Sequence, residues 1–141
     1  DDLHERAGCK NVLHLHGELK KICSEIDIND IRILDGWELT AEMKDAYGKP
    51  LRPHIVWFGE PVPNIDIAVK LCEEADIMII IGTSLNVYPA AGLLHYTKKN
   101  CKKYLIDPKM VNITDKNITF VKQKASSGVK QVVDEILSEY L

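Results

Sequence analysis

The sequence predicts an α/β fold. Three observations carry that expectation. An isoleucine-rich run, Ile77-Met78-Ile79-Ile80-Ile81, breaks at Gly82. Other short apolar runs alternate with segments of helical spacing. A closing stretch, 127–140, repeats Val129, Val132, Val133, Ile136, Leu137 and Tyr140 at i, i+3, i+4, i+7. The run 77–81 reads as a strand buried on both faces. Strands alternating with helices imply parallel pairing through right-handed crossovers.

From the amino end, Asn11-Val12-Leu13-His14-Leu15-His16 alternates and predicts a short strand ending at Gly17, with Leu13 and Leu15 on one face and His14 and His16 on the other. Residues 18–50 are charged and weakly periodic, a small and partly irregular subdomain. Within it Thr40 to Ala46 predicts a short helix, with Thr40 as N-cap and Met43 facing inward. His54-Ile55-Val56-Trp57-Phe58 predicts a strand between Pro53 and Gly59. Pro63-Asn64 opens a helix that keeps Ile65, Ala68, Val69, Cys72 and Ala75 in register. After the Gly82 turn, 89–99 predicts a helix with a basic last turn, which suits the helix dipole. Lys103 to Asp107 and Ile118 to Val121 are further strands, the first stopped by Pro108.

The chain has 141 residues, 45% of them apolar and 28% charged. That is the composition of a globular domain, or part of one, able to bury roughly two thirds of its extended surface. A formal charge of −3 offers no field for nucleic acid or an anionic membrane, so neither partner is expected. No apolar stretch approaches the roughly 20 residues that span a bilayer. The cysteines, Cys9, Cys23, Cys72 and Cys101, are scattered singly rather than as a disulfide framework. A cytoplasmic location is expected. The chain opens without an initiator Met, which leads us to expect a piece of a longer protein.

The densest segment is Gly82-Thr83-Ser84-Leu85-Asn86-Val87-Tyr88-Pro89-Ala90-Ala91-Gly92. A strand, a glycine turn and a helix N-terminus present free amides to an anion, as in nucleotide phosphate sites; the same pattern also reads as a plain strand-to-helix corner. Asp107 stands at a strand end, where a dinucleotide-binding sheet places a ribose-binding acid, and where an Asp-Pro turn would equally put it. Leu51 to Glu60 reads either as an edge that pairs with an extended peptide or as an aromatic core strand and its turn. Period alone does not choose between His14 and His16 as a chemically active histidine.

Together, Asp1-Asp2-Leu3-His4-Glu5-Arg6-Ala7-Gly8, Leu15-His16-Gly17-Glu18-Leu19, Arg52-Pro53-His54-Ile55-Val56-Trp57-Phe58-Gly59-Glu60 and the Gly82–Gly92 segment resemble the sirtuins, the NAD-dependent protein-lysine deacylases, in order and spacing. The Trp-Phe-Gly-Glu wording is similar to the bacterial branch. The resemblance implies the C-terminal portion of a Rossmann-like parallel-sheet domain, 1–19 and 51–141, with a small lobe, 20–50, standing in place of a zinc ribbon. It implies NAD as cofactor, an acyl-lysine protein or peptide as substrate, and nicotinamide and O-acyl-ADP-ribose as products. His16 matches the general base, a role for which imidazole has a suitable ordinary pKa. Asp1 matches the acid at the nicotinamide amide. Gly82, Thr83 and Ser84 match the turn around ribose and phosphates, Asp107 the adenosine ribose contact, and Ala125 the adenine-side loop. Val56, Phe58 and Val87 match the acyl-lysine tunnel; Gly59, Glu60 and Val87 match the strands that sandwich the peptide.

Two departures qualify the match. The family's zinc ribbon falls between the equivalents of Leu19 and Pro50, and here that interval holds only Cys23, whereas a structural zinc needs four ligands. No metal is expected; Ile26, Ile28, Ile31, Ile33, Leu34 and Trp37 are expected to hold the lobe. The family's glycine-rich nucleotide loop lies upstream of Asp1, so this stretch alone is expected to be inactive without the N-terminal part of its domain. The same residues are compatible with a sirtuin-like protein ADP-ribosyltransferase, or with a non-catalytic peptide- or ADP-ribose-binding module.

Overall fold

The computed structural model describes residues 1–27, 29–111 and 115–140, with side chains through Glu139. It is a mixed α/β structure, as the sequence predicts, in two compact units, Asp1–Asn64 and Ile65–Leu141. Among the described residues no helix is long and apolar enough to cross a membrane.

In the first unit a single helical turn, α1 (Leu3–Arg6), precedes a three-stranded antiparallel sheet of order β2-β1-β3, formed by β1 (Gly17–Cys23), β2 (Ile31–Ile33) and β3 (Arg52–Ile55). The strand expected over 11–16 begins where it was expected to end. Only the carbonyl of His16 joins the sheet, accepting from Val56 N at 2.9 Å. Upstream of it the chain is committed elsewhere, the His14 carbonyl to the Asn64 amide and the His14 ring to Glu5. The strand expected over 54–58 lies at 52–55 instead. Glu60 N donates to Trp57 O and Gly59 takes φ +89°, so Trp57 and Phe58 belong to a turn. Pro53 fits a strand because β3 is an edge, where a missing N–H costs no ladder bond.

The helix expected over Thr40–Ala46 is a turn closed by Met43 N to Thr40 O, followed by a hairpin. Leu51 N donates to Met43 O, Asp45 N to Lys49 O, and the Asp45 carboxylate accepts from the amides of Tyr47 and Lys49. Those backbone groups are therefore unavailable to a helix. Met43 does face inward, packing with Leu39 against Ile22, Leu34 and Leu51. Of the residues expected to hold this lobe, only Leu34 is buried. Ile26, Ile31 and Ile33 are exposed, and Trp37 is 79% exposed with the Lys20 ammonium 3.4 Å over its ring. Ile28 lies outside the described residues. The lobe is held instead by Ile22, Leu34 and Leu51, because strand β2 is short and its side chains face out.

The second unit runs α2 (Ile65–Glu74), β4 (Ile77–Ile81), a 3₁₀ helix (Ala90–Tyr96), β5 (Lys102–Ile106), β6 (Ile118–Val121) and α3 (Ala125–Tyr140). Its sheet is parallel, in the order β4-β5-β6. Within these residues β4 pairs with β5 alone, and Ile77 to Ile80 are half-buried with Ile81 exposed, whereas Leu105 and Ile106 of β5, flanked on both sides, are wholly buried. Tyr104, Ile106, Val121 and Val132 form the core, with Ile77, Ile79, Val129 and Ile136 against it. In α3, Val133 and Leu137 lie outside that core and are exposed, so the apolar face is narrower than its spacing suggests. The side chain of Tyr140 lies outside the described set. Gly128 permits close packing: a Cβ there would meet Ile106 Cγ2 at 2.5 Å.

The helix expected over 89–99 is 3₁₀ and ends at Tyr96. Thr97 is extended and its hydroxyl donates to the Leu94 carbonyl, which leaves the basic Lys98 and Lys99 beyond the helix. Cys72 and Cys101 are buried as small apolar side chains.

Candidate functional site

In the parallel sheet the last aligned rung is Ile81, Ile106 and Val121. The loops that leave this rung all start at the carboxyl edge, where open α/β sheets bind their ligands. Gly82 N donates to Ile106 O at 2.9 Å and Asp107 N to Val121 O at 3.2 Å, so the first two loops each start from a backbone bond to the neighbouring strand. The edge therefore gathers Gly82, Thr83 and Ser84 from the first loop and Asp107 from the second. Gly82 takes φ +63° with open space where a Cβ would lie, so glycine is favoured there by conformation rather than by close approach. Thr83 Oγ1 accepts from Leu85 N at 3.2 Å, and Ser84 is exposed. The expected helix N-terminus does not follow this turn directly, because 85–89 intervene before the 3₁₀ helix. Val87, in that interval, is half-exposed.

Asp107 has the strand-end position and the Asp-Pro turn read from the sequence. It stands at the carboxyl end of β5, and its Oδ1 accepts from Lys109 N at 2.7 Å, an Asp-Pro turn. Ala125 is the first residue of α3, whereas a loop position was expected.

In the first unit, Asp1, His16 and Val56 are associated with one sheet. Both carboxylate oxygens of Asp1 accept from Leu19 N, at 2.9 and 3.2 Å. The paired histidines differ in their surroundings. Nε2 of His14 is 2.5 Å from Glu5 Oε1 and 3.6 Å from Glu18 Oε1. The amide hydrogen bonding around Glu5 and then the His14 ring hold the Glu5 carboxyl below its ordinary value. His16 is exposed, and among the described residues its ring makes no hydrogen bond.

Val56 is half-buried beside His16, while Phe58 is 94% exposed at the tip of the following turn and Gly59 adjoins it. Glu60 is engaged inside the chain by Arg52 and by Trp57 N. Sequence reasoning gave no role to two residues that shape this region, Gly17 and Arg52. The available signals were a glycine directly after His16 and opposite charges bracketing the 52–60 segment.

The Sir2 family profile matches residues 1–89. A protein of Bacteroides thetaiotaomicron named NAD-dependent protein deacylase is 51% identical over 138 residues, covering 94% of this chain and 59% of its own. One of Helicobacter pylori with the same name is 43% identical over 140 residues, covering 97% and 60%. The chain thus spans well under two thirds of these relatives. Among solved structures, a Sir2 homolog in complex with NAD superposes with a TM-score of 0.83 at 33% identity, over 99% of this chain and 56% of that one. Sir2Tm bound to a propionylated peptide gives 0.75 at 27% identity, over 95% and 60%. With most of the chain matched in both sequence and architecture, it belongs to the Sir2 family.

Proposed function

We propose that the protein carrying these residues is an NAD-dependent protein-lysine deacylase that releases nicotinamide and O-acyl-ADP-ribose. One observation carries the reading: Gly82, Thr83, Ser84 and Asp107 converge on the carboxyl edge of a parallel sheet, in a chain of the Sir2 family. These residues suit a dinucleotide. The turn offers backbone amides and hydroxyls to ribose and phosphate, and a carboxylate at a strand end accepts from ribose hydroxyls. NAD, when bound, supplies the ribose that takes over the acyl group and loses nicotinamide. The His16 imidazole accepts the proton of a ribose hydroxyl, and Asp1 contacts the nicotinamide amide. Ala125 borders the adenine side. Val56, Phe58 and Val87 line the path of the acyl-lysine, while the backbone of Gly59 and Glu60 pairs with the peptide.

Residues 20–50 form a lobe without structural zinc. Its one cysteine, Cys23, is half-buried with Sγ 4.0 Å from the Pro53 carbonyl, and one thiol does not supply the four ligands of a structural zinc. Elemental analysis of the full-length protein should find no stoichiometric zinc, and chelation should leave activity intact. One zinc per chain, lost together with activity, would refute this. The free thiols suit a reducing compartment, and the cytoplasm is the proposed location.

The function is tested by incubating the full-length protein with NAD and acetyl-, propionyl- or succinyl-lysine peptides. Nicotinamide release matched by peptide deacylation is expected. Nicotinamide release with ADP-ribose appearing on protein, and no deacylation, would replace the reading with ADP-ribosyl transfer.

A further inference from the structure

We propose that Arg52 is a positioning residue for the acylated peptide, acting through Glu60 to hold the segment 56–60 in the shape that receives it. The inference rests on the deacylase reading and extends it to a residue outside the expected site.

The guanidinium of Arg52 grips Glu60 with two bonds, Nη1 to Oε1 at 2.7 Å and Nη2 to Oε2 at 3.1 Å, while Nη2 also donates to Ile55 O at 3.3 Å. Oε2 of Glu60 accepts in addition from Trp57 N at 3.0 Å, and Glu60 N donates back to Trp57 O at 3.1 Å. The turn is therefore closed twice, by backbone and by a carboxylate anchored to strand β3. The Arg52 guanidinium, and after it the Trp57 amide, hold the Glu60 carboxyl below its usual range.

The consequence concerns what faces a substrate. The Glu60 carboxylate is occupied inside the chain, so this segment offers outward the Phe58 ring, 94% exposed, and the backbone at Gly59, φ +89°. A segment so held gives up little conformational freedom when a peptide strand lies along it, and affinity rises through that saving. A paired, planar grip is particular to arginine; lysine offers a point charge.

The test uses the full-length protein with NAD and an acetyl-lysine peptide. Arg52→Ala should raise KM for peptide about tenfold, leaving KM for NAD and kcat within about threefold, the signature of lost ground-state binding. Arg52→Lys should recover part of the loss. Glu60→Gln should resemble Arg52→Ala, and the double variant should be no worse than either single one, as expected of two residues acting as a unit. Unchanged peptide KM, a fall in kcat alone, or additive losses would each overturn the proposal.

A second measurement separates this claim from the deacylase reading. In a background where Trp57 is left as the sole tryptophan, with Trp37 and any tryptophan beyond these 141 residues changed to Phe, Arg52→Ala should increase its quenching by acrylamide even if no acyl peptide is turned over. Unchanged quenching would overturn the positioning role. A wild-type protein inactive on every acyl peptide would instead overturn the deacylase reading, and with it the peptide as the ligand positioned.

Discussion

The carbonyl oxygen of His54 occupies the space in which a side chain on Gly17 would begin. A Cβ at Gly17 would lie 2.1 Å from that oxygen, and the backbone there has φ +82°. Both facts demand glycine at the point where β1 meets β3. Gly17→Ala should therefore destabilise the protein by about 1–3 kcal/mol from backbone strain alone, with the clash in addition. It should also displace the adjoining His16, so nicotinamide release should fall more than the loss of folded protein explains. Urea denaturation and turnover measured on one preparation compare the two effects.

His16→Ala should lower kcat for deacylation by about 10²–10⁴-fold while leaving peptide affinity within a few fold, because a general base acts on a proton in the transition state. His14→Ala should cost far less turnover, since that ring is engaged with Glu5. Equal losses at the two positions would show that the base has been misassigned.

Val87→Asp should weaken binding of an acyl-lysine peptide by at least about tenfold, equivalent to about 1.4 kcal/mol, and weaken NAD binding less. A carboxylate beside an apolar acyl chain must be desolvated or protonated. Folding should be little affected because Val87 is 51% exposed. Unchanged peptide affinity by calorimetry would put Val87 outside the tunnel.

Stability should decline on the acid side through Asp45. Its carboxyl is held below the ordinary value, first by the Ser24 hydroxyl at 2.6 Å and, against the opposing effect of burial, by the amides of Lys49 and Tyr47. A depressed folded-state pKa gives stability that is complete above the unfolded value, about 3.9, and lost as pH falls through the folded one. Thermal midpoints should drop below about pH 4, and Asp45→Asn should flatten that limb of the profile. A wild-type limb that keeps its slope in the variant would assign the acid sensitivity to other carboxylates.

Where local pattern and burial coincide, the sequence was a good guide. Ile118–Val121 and the helix through Ala68 and Cys72 were legible because a bounded apolar run and a helical spacing each have one outcome. The complete burial of Leu105 and Ile106 was not legible, since which strand is flanked on both sides is decided by neighbours that adjacent residues do not encode. Nor was the turn at Trp57 and Phe58, whose β-forming residues yield to hydrogen bonds from Glu60 and Arg52. For the candidate site, motif order singled out His16 and the Gly82 turn, whereas the demand for glycine at position 17 depends on a carbonyl 37 positions away in sequence, the separation of 54 and 17.

The backbone bonds from Gly82 to Ile106 and from Asp107 to Val121 divide mutational cost along the second unit. On one side of that line lie Leu105 and Ile106, wholly buried, where any change of volume is paid in folding. On the other lies Ser84, exposed and joined to the sheet only through an anchored turn. Exchanges there change the chemistry of the edge while the scaffold beneath keeps its stability. A substitution at Ser84 is thereby read in the chemistry of the rim, and one at Leu105 or Ile106 in the stability of the core.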